Sequence, residues 1–280
     1  MKADTYLLAR DILQGKWLVS DPERLLPLAR AFLSKTPFVT ADRDDDPPVR
    51  AEQDGRGSGD STGIAVIPIH GTMTKYETCE SRGSMFIART IREAAGDGTV
   101  AGVVLDIDSG GGSVSAVPPL LEAIRLLRAA GKPVFAHADL CGSAAYWVAS
   151  QCDALYLDNP LSEAGSIGLV AMVVDSSAPN PETGAREIVV YARESPDKNL
   201  PVREALKGNY ELLMDELSPV AQQFHRDVCA GRPSLRKDAD GVLTGKLFRA
   251  SDAITLGLAD AVRTLDETVE ALSAITELQP

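Results

Sequence analysis

The sequence predicts an α/β domain built on a parallel sheet. Three observations carry that prediction. The run VAGVVLDID (residues 100–108) is apolar and of strand length, the mark of a strand buried on both faces. From Gly63 onward, strand-like and helix-like segments alternate with short connections, as in α/β proteins. The segments between the strands carry apolar residues at helical spacing.

Taken in order, the first forty residues read as two short helices. Leu7, Leu8, Ile12 and Leu13 make a narrow stripe that Gly15 can end. Asp21-Pro22 starts a second helix with Leu25, Leu26, Ala29, Phe32 and Leu33 on one side. Residues 40–62 hold seven acids and three arginines, with Val49 the sole large apolar residue. That composition predicts an acidic linker. The expected layout is a helical arm over 1–39, a linker over 40–62 and the main domain over 63–280.

Within that domain, IAVIPI (64–69) is the first strand, and Ser84 can cap a helix bearing Met85, Ile87, Ala88, Ile91 and Ala95. After the 100–108 strand and a glycine turn, Ser115 can cap a helix with Val117, Leu120, Leu121, Ile124 and Leu127 on one face, stopped by Gly131. PVFAHA (133–138) is a strand, and 144–150 a short helix. ALYL (154–157), GSIGLVAMVVD (165–175) and EIVVYA (187–192) read as further strands. Leu206, Tyr210, Leu213, Leu217, Val220, Phe224 and Val228 line a long helix or a pair of helices over 202–230, which Pro219 should kink or split.

Composition excludes several function classes. The chain has 280 residues, 40 acidic and 28 basic, for a formal charge of −12. An acidic chain without a basic face is a poor partner for nucleic acid. No apolar stretch is long enough to span a bilayer, and the opening MKADTYLLARDILQGKW lacks the apolar core of a secretory signal. Cys79, Cys141, Cys152 and Cys229 are far apart, and there are only three histidines. No metal, cofactor or disulfide framework is therefore expected, and the cytoplasm is the expected location.

Three segments depart from a plain α/β pattern. Asp108-Ser109-Gly110-Gly111-Gly112-Ser113 follows the buried strand, and consecutive glycines bare their N–H groups to whatever approaches. It lacks the Gly-Lys-Ser/Thr of a phosphate loop. Cys141-Gly142-Ser143-Ala144-Ala145-Tyr146-Trp147 puts a serine at the mouth of a helix after a strand, where its hydroxyl is expected to be exposed. Such a serine serves equally as an ordinary helix cap. Arg193-Glu194-Ser195-Pro196-Asp197-Lys198-Asn199 precedes the long helix.

A nucleophilic serine needs a base. His70 ends a strand, His137 lies inside an apolar strand where core packing is expected, and His225 is on the far helix. A lysine drawn into apolar surroundings can serve instead. Lys198, Lys207, Lys237 and Lys246 follow Ser143, with Lys207 the alternative to Lys198.

Together these motifs resemble the S49 family of serine peptidases, the signal peptide peptidase A-like group that includes phage capsid-processing proteases. The resemblance runs from about Ala65 to Val262. It rests on the Asp108–Ser113 turn, on Ser143-Ala144-Ala145-Tyr146-Trp147, on Asp153 with Gly165-Ser166-Ile167-Gly168, on Lys198 and on the closing Leu256-Gly257-Leu258-Ala259-Asp260. Gly110 stands where the family has proline, and Ala144-Ala145 where it has two glycines. LLARDILQGKWLV is similar to the opening of prophage-encoded members.

The resemblance implies a ClpP/crotonase-like superhelix of strand-strand-helix units behind a small N-terminal helical arm. It implies peptide hydrolysis by a Ser143–Lys198 dyad, with Ser166 orienting the lysine and the amides of Gly111 or Gly112 and of Ala144 as oxyanion donors. It implies a protein or peptide substrate, a capsid or scaffold protein among them. It also implies a homo-oligomer whose sites are shared between subunits, acting in the bacterial host cytoplasm or a phage prohead, with no membrane anchor. Two rivals share that fold: a catalytically silent structural protein and a crotonase-type acyl-CoA enzyme.

Overall fold

The computed structural model describes residues 17–19, 63–78, 81–173, 175 and 188–278. The helical arm and the linker fall outside the described residues, apart from a short strand, β1 (Trp17–Val19). The elements that follow are β2 (Gly63–His70), α1 (Ser84–Gly96), β3 (Val100–Ser109) and β4 (Gly111–Ser113). Next come α2 (Val117–Ala129), β5 (Val134–Gly142), α3 (Ala144–Ala149), β6 (Ala154–Leu157) and β7 (Glu163–Gly165). The chain continues with α4 (Leu200–Ala205), α5 (Glu211–Gly231), β8 (Leu247–Arg249), α6 (Ala250–Thr255), β9 (Ala261–Val262) and α7 (Leu265–Thr276).

The α/β class and the parallel sheet are as the sequence predicts. Strands run in the order β2-β3-β5-β6-β9, each parallel to its neighbour. β2 lies at the end of that order, so Pro68 removes no hydrogen bond from an interior strand. β3, flanked by β2 and β5, has Val103, Val104 and Leu105 fully buried. One face of the sheet packs on α1 and α2 through Ile87, Ile91, Leu120, Ile124 and Leu127. The other packs Val104 and Phe135 against Leu272 of α7. β5 changes neighbour along its length. Phe135–Ala138 pair with β6, whereas Leu140–Gly142 pair with β7. That switch leaves Cys141 between Ser109 of β3 and Ala164 of β7, with Ser143 just beyond that junction.

Several local expectations change. The 165–175 strand is shorter and earlier, Glu163–Gly165, because Ser166 turns the backbone to φ 53°. Residues 188–192, the described part of the expected 187–192 strand, form no strand. The long helix does not break at Pro219, which lies inside α5. It breaks between α4 and α5, at Gly208 with φ 88°. Ser113, accepting the amide of Ser115, caps a 3-10 turn over Val114–Ala116 that leads into α2. The N-cap of α2 itself, Ala116, has no side-chain cap, and α1 is preceded by Gly83 with no side-chain cap.

His137 is buried, but among carboxylates rather than in an apolar core. Its Nδ1 lies 3.0 Å from Asp106 Oδ1 and its Nε2 3.2 Å from Asp158 Oδ1. Asp106 Oδ2 lies 3.1 Å from His70 Nε2. A polar row therefore crosses β2, β3, β5 and the end of β6. Burial opposes charge on His137, but its bonds to Asp106 and Asp158 outweigh that and raise its pKa. The bond to Asp106 raises that of His70. Burial pushes the Asp106 carboxyl up, yet His137 and His70 together hold it far below its ordinary 3.8.

The signs give a test. A raised histidine pKa contributes stability that is complete below 6.5 and lost as pH climbs through the raised values. A lowered Asp106 pKa contributes stability present above 3.8 and lost as pH falls. The urea midpoint should therefore decline on both sides of the 3.8–6.5 window more steeply for the wild type than for Asp106→Asn. Parallel curves for the two proteins would contradict the row.

Candidate active site

Ser143 joins β5 to α3 in a turn that few side chains tolerate. Its φ is 55° and its ψ −113°. A Cβ in that region costs on the order of 1–3 kcal/mol and persists only where the surroundings over-determine it. Here they do. The Ser143 amide donates to the carbonyl of Gly165 at 2.8 Å. Gly142 is in register with Gly165, which holds φ 122°. The Ser166 amide donates to the carbonyl of Lys246 at 2.8 Å, and β7 pairs with β8 on that side. On the helical side, Tyr146 and Trp147 lock α3 in place. Tyr146 Oη donates to the Leu258 carbonyl at 2.9 Å. Trp147 stacks on Phe224 of α5 with ring centroids 4.6 Å apart, and its Nε1 donates to Asp227 at 2.9 Å.

Contrary to the expected exposed hydroxyl, Ser143 is 0% exposed, and its Oγ donates to the Gly168 carbonyl at 3.2 Å. Ser166 is buried close by in sequence register, its turn abutting that of Ser143 through Gly142 and Gly165.

The glycine turn is built with similar economy. Ser109 Oγ donates to the Gly71 carbonyl at 2.6 Å and accepts the Gly111 amide at 3.1 Å. Met73 donates to the Gly111 carbonyl at 2.9 Å and accepts the Ser113 amide at 2.8 Å. A Cβ on Gly112 would lie 1.9 Å from the Met73 carbonyl oxygen, so only glycine fits there. α3 packs against β4, which brings this turn and the start of the serine helix together. Ala144 is the first residue of α3, where an amide has no intrahelical acceptor.

Lys198 is placed differently. It lies on an exposed turn, its own amide donating to the Ser195 carbonyl, and Arg203 holds that turn through the Pro196 carbonyl. No hydrogen bond among the described residues joins it to Ser143. Lys207 pairs with Glu204 at 2.7 Å on the surface of α4 and its following turn. Along the chain on either side of Lys198, large apolar side chains are exposed: Ile188, Val189, Val190, Val202, Leu206 and Tyr210. Met73, Ser109 and the carbonyls of Gly165, Gly168 and Lys246 were not foreseen. Backbone acceptors leave no residue-type signal in a sequence.

The profile of peptidase family S49 matches residues 127–279, more than half of the chain. The chain belongs to peptidase family S49. Ser143, Ser166 and Lys198 fall inside the matched span, as do the elements that hold the serine turn. Among relatives of this S49 chain, Protease 4 of Haemophilus influenzae is 29% identical over 74% of this chain and 34% of its own length. The head-tail preconnector protein GP5 of enterobacteria phage P21 is 28% identical over 75% of this chain and 43% of its own. Capsid assembly protease C of Escherichia phage lambda is 26% identical over 84% and 52%. The chain thus spans about a third to a half of the length of these relatives. Among solved structures, an enoyl-CoA hydratase/isomerase family protein from Silicibacter pomeroyi aligns over 79% of this chain and 80% of its own, at 12% identity and a TM-score of 0.43.

The strain at Ser143 is measurable without an activity assay. Ser143→Ala and Ser143→Gly both remove Oγ, but alanine keeps the Cβ that the positive φ opposes. Ser143→Gly should therefore be more stable than Ser143→Ala by about 1 kcal/mol in urea unfolding. A Ser143→Gly variant of equal or lower stability would show that the turn is relaxed.

Proposed function

We propose that this chain is a serine endopeptidase in which Ser143 is the nucleophile and Lys198 the general base. The observation that carries the reading is the φ 55°, ψ −113° turn at Ser143, held between β5 and α3 in an S49 chain. A serine on a sharp strand-to-helix turn can present Oγ to a carbonyl carbon. Here Oγ is buried against the Gly168 carbonyl, and that contact opens when substrate binds. Oγ attacks the scissile carbonyl while neutral lysine takes its proton. The lysine then passes that proton to the leaving amine, and water repeats the sequence on the acyl-enzyme. Ser166 orients the lysine. The Gly112 and Ala144 amides hold the oxyanion, since the Gly111 amide is already given to Ser109. An oxyanion donor of this kind is worth about 3 kcal/mol in the transition state.

The base comes from a second copy of the chain. Lys198 sits on an exposed turn with exposed large apolar side chains on either side along the chain, Val190 being 86% exposed and Ile188 77%. Exposed apolar side chains gathered in one stretch of chain favour a protein contact. A neighbouring subunit covering it would bury the lysine, and a lysine withdrawn from water gives up its proton more readily. The likeness to a capsid assembly protease and a head-tail preconnector protein favours a structural protein of a phage head as substrate. Hydrolysis of this kind uses no metal or cofactor, and acts on soluble polypeptide rather than nucleic acid or membrane.

Mixing two inactive variants tests the shared site. Ser143→Ala keeps the lysine and Lys198→Ala keeps the serine. Co-expressed and co-assembled at 1:1, they should recover about a quarter of wild-type hydrolysis of a peptide substrate, since that share of head-to-tail interfaces joins an intact serine to an intact lysine. Lys198→Arg, which cannot shed its proton, should be inactive. Mixed oligomers that stay at background would rule out sharing, and an active Lys198→Arg would move the base elsewhere.

A further inference from the structure

β4 is a strand with two edges, and the chain fills both of them itself. On one edge, Met73 takes the Gly111 carbonyl and the Ser113 amide. In an extended strand, amide and carbonyl groups point alternately to the two sides. Gly112, between those two residues, therefore turns its amide and carbonyl to the opposite edge. There β1 lies antiparallel, with Trp17 opposite Ser113, Leu18 opposite Gly112 and Val19 opposite Gly111. β1 and β4 form a two-stranded unit separate from the main sheet, and among the described residues no other strand lies on this edge.

Three features make that edge suited to an extended peptide. Main-chain pairing at an open strand edge recognises any polypeptide in β conformation, whatever its sequence. A Cβ on Gly112 would strike the Met73 carbonyl on the opposite edge, so the position stays glycine and β4 keeps its contact with Met73 while its other edge pairs. α3, which begins next to Ser143, packs directly against β4. A peptide lying where β1 lies would run past the start of the serine helix. β1 itself is extended polypeptide in that place, and its Leu18 is opposite Gly112, whose amide is a candidate oxyanion donor.

We propose that Trp17–Val19 is a resident occupant of the peptide-binding edge, an intramolecular strand that an extended polypeptide substrate must displace from Gly111–Ser113 before hydrolysis. This rests on the reading of Ser143 and Gly112 as parts of one hydrolytic site. Covalent attachment gives the strand a high effective concentration, so it competes with substrate without needing high intrinsic affinity. Its pairing with β4 covers three residue pairs, so a substrate that pairs along more of that edge can replace it. The S49 chain would then hold its activity low until a partner polypeptide in extended form is abundant nearby.

The test uses the full chain in two arms. In the first, Leu18→Pro removes the amide that faces Gly112, and amide hydrogen exchange is followed residue by residue in a Ser143→Ala background, where nothing is cleaved. Exchange at Gly112 should speed up about tenfold or more, as for the loss of one hydrogen bond and its strand partner. An added peptide of residues 14–22 should restore protection, and the same peptide with N-methyl leucine at position 18 should not. In the second arm, Leu18→Pro with Ser143 intact should lower KM for an extended fluorogenic peptide several-fold with kcat unchanged, and the 14–22 peptide should inhibit it competitively. A folded Leu18→Pro protein, judged by its urea midpoint, whose Gly112 exchange is unchanged would overturn the pairing. Faster exchange with an unchanged KM would overturn the role, because β1 would then leave without admitting substrate. Absence of hydrolysis in every variant would count against the peptidase reading alone, and the exchange arm would still decide whether the edge takes extended peptide.

Discussion

The amide of Ser143 donates to the carbonyl of Gly165, and most of what surrounds the candidate site follows from that bond. It fixes the end of β5 against β7 at the point where the chain must turn from strand to helix. A serine left to itself would relax out of φ 55°. The bond, the glycine at φ 122° on the other side, and α3 clamped by Tyr146 and Trp147 together forbid that relaxation. The energy that holds the turn comes from burial far from the serine. Phe224 and Val228 of α5 are fully buried, and Arg232 at the end of α5 makes a two-pronged pair with Asp260 at 2.8 Å. Asp260 also accepts the Leu155 amide, which ties β6 to the same corner. The Asp260 that the motif singles out thus has a structural task, holding together the elements behind the serine helix.

The glycine turn depends on a second set of backbone bonds, centred on Met73 and Ser109. Neither contributes a reactive group. Their effect is to press β4 flat between two edges, so that Gly112 faces outward with both its backbone groups. The two sets meet through α3, which packs on β4 as it leaves Ser143. Rigid strands thus flank Ser143 and carry Gly112, whereas Lys198 stands on an exposed turn.

Much of the fold was legible in the sequence. The β3 run reads as a two-face strand, and it is one. ALYL is a strand at the residues its apolar run marks. The failures are physical. GSIGLVAMVVD looks like a strand by hydrophobicity, but Gly165-Ser166 adopts positive φ twice in succession and ends the pairing. The stripe from Leu206 to Val228 predicts a long helix or a pair, with Pro219 as the breaking point. Gly208 and Asn209 break it, while Pro219 is accommodated inside α5, much of whose first half stands in solvent. Leu206 and Tyr210 belong to the stripe yet remain exposed among the described residues. His137 read as core by its apolar neighbours, but strand alternation puts it with Asp106 and Asp158 on the other face. Of the site, residue types pointed to Ser143 and the glycines. The acceptors that strain Ser143 are carbonyls, which every residue carries and no pattern marks.

The central claim is that the strained Ser143 is an activated nucleophile. Mass spectrometric peptide mapping after treatment of the assembled protein with a fluorophosphonate tests it most directly. A single adduct on the peptide containing Ser143, lost when Lys198 is changed to arginine, is the predicted result. An adduct on another serine, or none on a folded and assembled protein, would contradict it.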